Sequence, residues 1–172
     1  LEGTGFDTLA FGDSRRTVEA KLAKSGRVSA SLDQRFRGRT GLNGVYQTTI
    51  QGDRYLLFFD WTGEDALREV TLRSGAVPAS EYGSALQGKW TALAALLRKL
   101  HGNPVQQTSF PAQDDLEDGR LVGSHLWHIG KRHSILLSTG LEKSGYVVAI
   151  RFTTGLIPPN QLLVRDPKSP DP

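Results

Sequence analysis

The sequence predicts an α+β protein made of two tandem α-βββ repeats, an antiparallel sheet with helices packed on one face. Three observations predict it. The first is internal self-similarity. Arg54-Tyr55-Leu56-Leu57-Phe58-Phe59 resembles Arg132-His133-Ser134-Ile135-Leu136-Leu137, and each run is followed by a Thr-Gly turn pair, Thr62-Gly63 and Thr139-Gly140. Leu72-Arg73-Ser74-Gly75 matches Phe152-Thr153-Thr154-Gly155, Leu42-Asn43-Gly44 matches Leu121-Val122-Gly123, and Gly26 matches Gly102, all roughly 78 residues apart. The second observation is an amphipathic segment in which Leu86, Trp90, Leu93, Leu97 and Leu100 recur three and four residues apart, with Gly102 and Pro104 as its stop. The third is a set of apolar runs joined by turns too short for parallel crossovers, which makes the strands antiparallel neighbours.

Taken in order, Asp13 or Ser14 caps a short first helix with Val18 and Leu22 one turn apart and Gly26 as its stop. Strands are expected over about 44–50, 54–61 and 67–73, joined by Gln51-Gly52-Asp53 and by Thr62 to Ala66. The second repeat places its helix over Leu86 to Leu100 and its strands over about 121–129, 132–139 and 146–153, with turns at Gly130-Lys131 and Glu142 to Gly145. Between them, 106–119 reads as a long exposed loop. The expected division is 1–78, 79–157 and a Pro-rich tail over 158–172, extended and partly disordered, in which only Leu162, Leu163 and Val164 are apolar enough to pack.

Composition narrows the chemistry. At 172 residues, 38% hydrophobic and 23% charged, the chain can bury one sizeable core or two coupled ones. Its apolar runs fall far short of the roughly 20 residues a membrane-spanning helix needs. The net charge of +3 is scattered, which gives a mild preference for acidic partners and no tract for nucleic acid. With Cys 0 there is no disulfide, thiolate metal site or thiol nucleophile. Met 0 points to a processed N-terminus, and with it to a periplasmic or secreted protein.

Four local patterns invite a catalytic or ion-binding reading. Phe11-Gly12-Asp13-Ser14 is the string of Gly-Asp-Ser hydrolases, whose Ser needs an Asp-x-x-His partner; none of His101, His125, His128 and His133 has Asp three residues earlier, so Ser14 reads as a helix cap. His125-Leu126-Trp127-His128 lies on a strand, where side chains alternate, so the two imidazoles point to opposite faces and no metal site is expected. Asp114, Asp115, Glu117 and Asp118 lack calcium-loop spacing and read as a solvated loop. Arg35, Arg37 and Arg39 alternate and can line the edge of a basic strand, too little for a nucleic-acid site. No cofactor is expected.

The aromatic residues carry more. On a strand over 54–61, Tyr55, Phe59 and Trp61 share one face with Leu57, while Leu56 and Phe58 take the other. A face left uncovered by helices would present large apolar groups to a partner, and Tyr46, His125 and Trp127 extend the same surface. The alternative is that these rings fill the junction between the repeats. Tyr46, Tyr55, Phe59, Trp61, His125 and Trp127 are therefore the candidate binding residues.

The opening stretch has a second relative. Phe6-Asp7-Thr8-Leu9-Ala10-Phe11-Gly12-Asp13-Ser14-Arg15-Arg16-Thr17-Val18 resembles the motif that begins the repeats of the β-lactamase inhibitory protein family, and similar starts occur in small bacterial outer-membrane assembly lipoproteins. The resemblance implies a duplicated helix-plus-sheet unit whose concave sheet grips a partner protein, with Gly12 at the turn, Ser14 capping the helix and Val18 as its first core contact. Asp13 stands where the family has Met, and the family's cysteines are absent. The expected function is a monomeric, non-enzymatic envelope or secreted module that binds a protein or peptide through its sheet. A Ser14 hydrolase and a small-ligand carrier are the alternatives.

Overall fold

The computed structural model describes residues 3–36 and 38–159. It is an α+β fold with two α-helices, α1 (Arg15–Lys24) and α2 (Gln87–His101), and eight strands: β1 (Val28–Ala30), β2 (Tyr46–Ile50), β3 (Asp53–Trp61), β4 (Leu67–Ser74), β5 (Gln106–Gln107), β6 (Leu121–Ile129), β7 (His133–Glu142) and β8 (Gly145–Thr154). The strands form one antiparallel sheet in the order β1-β2-β3-β4-β8-β7-β6-β5. Each helix is followed by four strands and not the expected three. The extra strands β1 and β5 are only three and two residues long, too short to show a period in the sequence.

The chain separates into two compact units. The first runs to Gly75 and takes in Arg151–Thr154. The second runs from Ala76 to Ile150 and resumes at Gly155. Residues 145–150 of β8 thus fall in the second unit and Arg151–Thr154 in the first. Leu162, Leu163 and Val164 lie outside the described residues.

In the first unit, a packed N-terminal segment leads into α1. Thr4 Oγ1 donates to Leu9 O at 3.0 Å, and Phe6, Leu9 and Phe11 are buried, Phe6 against Phe152 with ring centroids 6.1 Å apart. Gly12 turns the chain with φ 95, a conformation costly for any residue with a Cβ. Ser14 Oγ then accepts from Thr17 N at 3.1 Å and donates to Thr17 Oγ1 at 3.0 Å, so Ser14 is the helix cap. Asp13 is buried beside it, accepting from Ala10 N at 2.9 Å and from Lys21 Nζ at 2.7 Å. Ser14→Ala is expected to lower stability by about 1 kcal/mol in denaturant melts, because Thr17 N loses its acceptor. Val18 and Leu22 are buried as the spacing predicts. Gly26 does not stop the helix: Ser25 turns extended, its hydroxyl bonded to Asp7 Oδ1 at 3.0 Å and accepting from Arg27 N at 3.1 Å.

β2 and β3 are joined by a two-residue turn, Gln51-Gly52, both at positive φ, which fits the right-handed strand twist. Register places Tyr46 opposite Leu57, Thr48 opposite Tyr55, Leu57 opposite Leu72 and Phe59 opposite Val70. This is the α1 face, since the Arg15 guanidinium of α1 lies 4.7 Å from the Trp61 ring centroid. The opposite face carries Leu56, Phe58 and Asp60 with their partners Arg73, Thr71 and Glu69.

In the second unit, α2 ends at Gly102, whose φ of 82 breaks the helix as expected. Leu86, Leu93 and Leu97 are buried and Trp90 is half-buried. Leu100, however, is 62% exposed and Ala94 is buried instead, because the buried stripe turns toward the Trp90–Ala94 side of the helix. Thr139-Gly140 is not a turn: β7 continues through it to Glu142. A Cβ on Gly140 would stand 2.7 Å from Arg120 O, so Gly here permits a close backbone approach.

Residues 106–119 are largely exposed, Asp114, Asp115, Glu117 and Asp118 among them as expected, but they are not without structure. They hold β5, a 3₁₀ turn over Gln113–Asp115, buried Leu116, and Phe110, whose ring meets Tyr82 at 4.8 Å and Trp90 at 5.1 Å. The face of β6 and β7 that carries Leu126 and Leu136 is also covered, by the segment after β8. Ile157 packs on both leucines, while Ser134 Oγ donates to Gly155 O at 2.8 Å and accepts from Ile157 N at 3.0 Å.

Candidate binding surface

The six aromatic and histidine positions singled out in the sequence fall into two sets. Tyr55 and Phe59 are buried at 1% and 9% exposure, and Tyr46 and Trp61 are half-buried. Burial raises the Tyr55 hydroxyl pKa above its ordinary range, as it does for Tyr46, where Glu19 of α1 adds to the effect. Trp61 donates to Thr40 O at 3.2 Å and its face is taken by Arg15. These rings lie on the side that α1 covers, and most of their surface is core.

His125 and Trp127 are buried in the second unit, at 3% and 1%. Their rings stack at 5.7 Å with an interplanar angle of 13°, and Trp90 meets His125 edge-on at 5.3 Å. Trp127 Nε1 donates to Gly102 O at 2.8 Å, and Trp90 Nε1 donates to Ser124 Oγ at 2.8 Å. Ser124 Oγ lies 3.0 Å from His125 Nδ1. Burial, reinforced by the Arg98 charge, pushes the His125 pKa down from 6.5 to about 4. His128 points to the other face, as alternation requires, with Nε2 2.7 Å from Ile157 O. Among the described residues, no three His, Asp or Glu side chains converge on one point.

The surface that sequence reasoning missed lies on the face of β2–β4 opposite α1. The chain between β1 and β2 forms a 3₁₀ turn over Gln34–Phe36, not the basic strand that Arg35, Arg37 and Arg39 suggested, and Arg37 lies outside the described residues. The turn sets Phe36 edge-on against Phe58, with centroids 5.1 Å apart. Three guanidinium groups cover the two rings: Arg35 and Arg39 each 5.3 Å from the Phe36 centroid, and Arg73 5.1 Å from that of Phe58. Asp33 accepts two bonds from the Arg35 guanidinium, at 3.0 and 2.7 Å, and one from Arg35 N at 3.1 Å, which hold its carboxyl below the usual range, with the Arg54 charge contributing.

Register and ion pairs give the charge balance on this face. Arg35 meets Asp33, Arg68 meets Asp60 at 2.6 Å, and Arg151 meets Glu69 at 2.9 Å. Arg39, Arg54 and Arg73 lie on the same face. Stacking on a ring restricts a guanidinium's rotamers, and the Arg35 fork is held further by Asp33. Arg35 and Arg39 are exposed and Phe36 and Phe58 are half-buried.

Fold and surface together define an α+β protein whose first unit carries an arginine-capped pair of phenylalanines on its sheet. No family model matches the chain, and neither a curated protein nor a solved structure matches it.

Proposed function

We propose that this protein is a non-enzymatic binding module that recognises an acidic segment of a protein partner through the sheet face bearing Phe36 and Phe58. The observation that carries the reading is the set of three guanidinium groups stacked on two edge-to-face rings. Arginines ordered by stacking lose less side-chain entropy on binding a carboxylate than mobile ones do, and they present planar forks that match it. The rings beneath supply apolar contact to whatever flanks the acidic groups. The resemblance of Phe6–Val18 to the inhibitory-protein repeats supports partner binding by a sheet, and the α-ββββ order of each half fits a duplicated unit. An exported setting belongs to the same reading. Ser14, the only nucleophile the sequence offered in a hydrolase motif, is engaged as a cap.

The test is titration of the whole protein with a short Asp- and Glu-rich peptide. Charge reversal by Arg39→Glu is expected to weaken binding at least about tenfold at low salt, with the far-UV spectrum and melting temperature retained because Arg39 is exposed. Unchanged affinity in Arg39→Glu and in Arg73→Gln would remove this face from the interaction.

A further inference from the structure

The second unit holds a groove of about 460 Å³ between α2 and the sheet edge, walled by Trp90, Ala94, Ala95 and Arg98 on the helix side and by Gln107 and Thr108 on the strand side. β5 ends the strand order, so this strand is a sheet edge. Thr108 N bonds inward to Ser124 O at 2.7 Å, and Gln107 faces His125 in the same register. In an antiparallel ladder hydrogen-bonded and non-hydrogen-bonded pairs alternate, so Gln107, next to Thr108, turns its own N–H and C=O away from β6. The helix wall is lined with small side chains at Ala94 and Ala95, which leaves space beside the edge, and Arg98 stands one turn further on, donating to Gln107 Oε1.

We propose that this groove is a second binding site, distinct from the arginine face of the first unit, which takes an extended peptide as an added strand along β5. The spacing sets the chemistry of the peptide. Ala94 and Arg98 are one helical turn apart, roughly 6 Å along the axis. Side chains at i and i+2 on one side of a strand are roughly 7 Å apart. The peptide therefore carries an acidic side chain opposite Arg98 and a large apolar side chain, two residues away, over Ala94 and Ala95 beside the Trp90 ring. Its backbone pairs with the outward groups of Gln107, the mode in which main-chain bonds give affinity and alternate side chains give specificity.

The probe is a blocked heptapeptide, acetyl-Thr-Val-Glu-Val-Leu-Val-Thr-amide, titrated into the whole protein with backbone amide shifts as readout. Saturable shifts confined to β5, 108–109 and the Trp90–Arg98 face of α2 are expected, with slowed exchange of the Gln107 amide. Replacing Glu by Gln in the peptide and Arg98→Gln in the protein should each weaken binding about tenfold, and the two together no further. Ala95→Trp, at an exposed position, should fill the groove and abolish binding without changing the melt. Substituting N-methylated residues along the peptide should abolish it as well, since strand pairing needs the amide protons. The proposal is overturned if the heptapeptide does not bind, if Ala95→Trp binds it unchanged, or if N-methylation has no effect. It is also overturned if β5 shifts only with protein concentration, which would make the edge a contact between two copies of this chain. Arg39→Glu is expected to leave this binding intact, so failure here and failure of the acidic-partner reading are separate outcomes.

Discussion

Trp127→Ala is expected to lower stability by about 3–5 kcal/mol, the largest effect of any single truncation considered. The indole is 1% exposed, sits on β6 opposite Ile135, and stacks on His125. Its removal leaves a cavity in an interior packed as densely as a molecular crystal, and surrounding strands can relax into it only in part. The Nε1 bond to Gly102 O adds a second loss, because that carbonyl lies at the end of α2 and is left without its donor. Trp127→Phe separates the two contributions. It keeps a ring against His125 and loses the hydrogen bond and part of the volume, so urea melts should place it well above Trp127→Ala.

The second large effect is on the pH dependence of folding. His125 titrates near 6.5 when unfolded and about 4 when folded, because burial and the nearby Arg98 charge disfavour the imidazolium. Between those values the unfolded chain binds a proton that the folded chain refuses. The neutral imidazole thus contributes its full share of stability above about pH 6.5, and that share is lost as the pH falls toward 4, up to about 3 kcal/mol in total. The comparison protein is His125→Phe, which retains a ring between Trp90 and Trp127 and cannot protonate. Carboxylates titrate in both proteins and cancel in the difference. The wild-type curve should fall away from that of His125→Phe across this window, and parallel curves would show that His125 remains accessible to protonation in the folded protein.

Where the sequence reading succeeded, it rested on patterns repeated over several residues. β2, β3, β4, β6, β7 and β8 announce themselves through apolar runs between Gly-containing turns, and α2 through leucines at helical spacing. Ser14 was legible as a cap because a capping hydroxyl acts within its own turn. What escaped was structure made by contacts distant in the chain. Gln106-Gln107 carries no apolar period, and only the partner strand β6 makes it a strand. Phe110 in a polar stretch and Ile157 before Pro158 were the faint signals of segments that pack: a lone large apolar residue in a loop usually has somewhere to go.

The aromatic candidates on β3 lie on the side that α1 covers. Alternation correctly separated Tyr55, Phe59 and Trp61 from Leu56 and Phe58, but the larger rings proved to be those under α1. Large aromatic groups are the ones folding gains most by burying, so their presence on a strand is stronger evidence for core than for a docking surface. The Phe36–Phe58–Arg73 cluster joins three segments through a 3₁₀ turn and a strand register. Its faint trace was basic residues flanking Phe36, a pattern first read as a strand.

The acidic-partner reading of the first unit is tested most directly by mapping where an acidic peptide binds. With the whole protein labelled and an Asp- and Glu-rich peptide added at low ionic strength, the amide and guanidinium resonances of residues 33–36, 39, 54–58 and 71–73 are expected to move together along one saturable curve. The shifts should shrink as salt rises through about 0.15 M, where screening reaches about 8 Å. Shifts scattered over lysines and arginines throughout the chain, or a footprint that leaves Phe36, Phe58 and Arg73 unmoved, would contradict it.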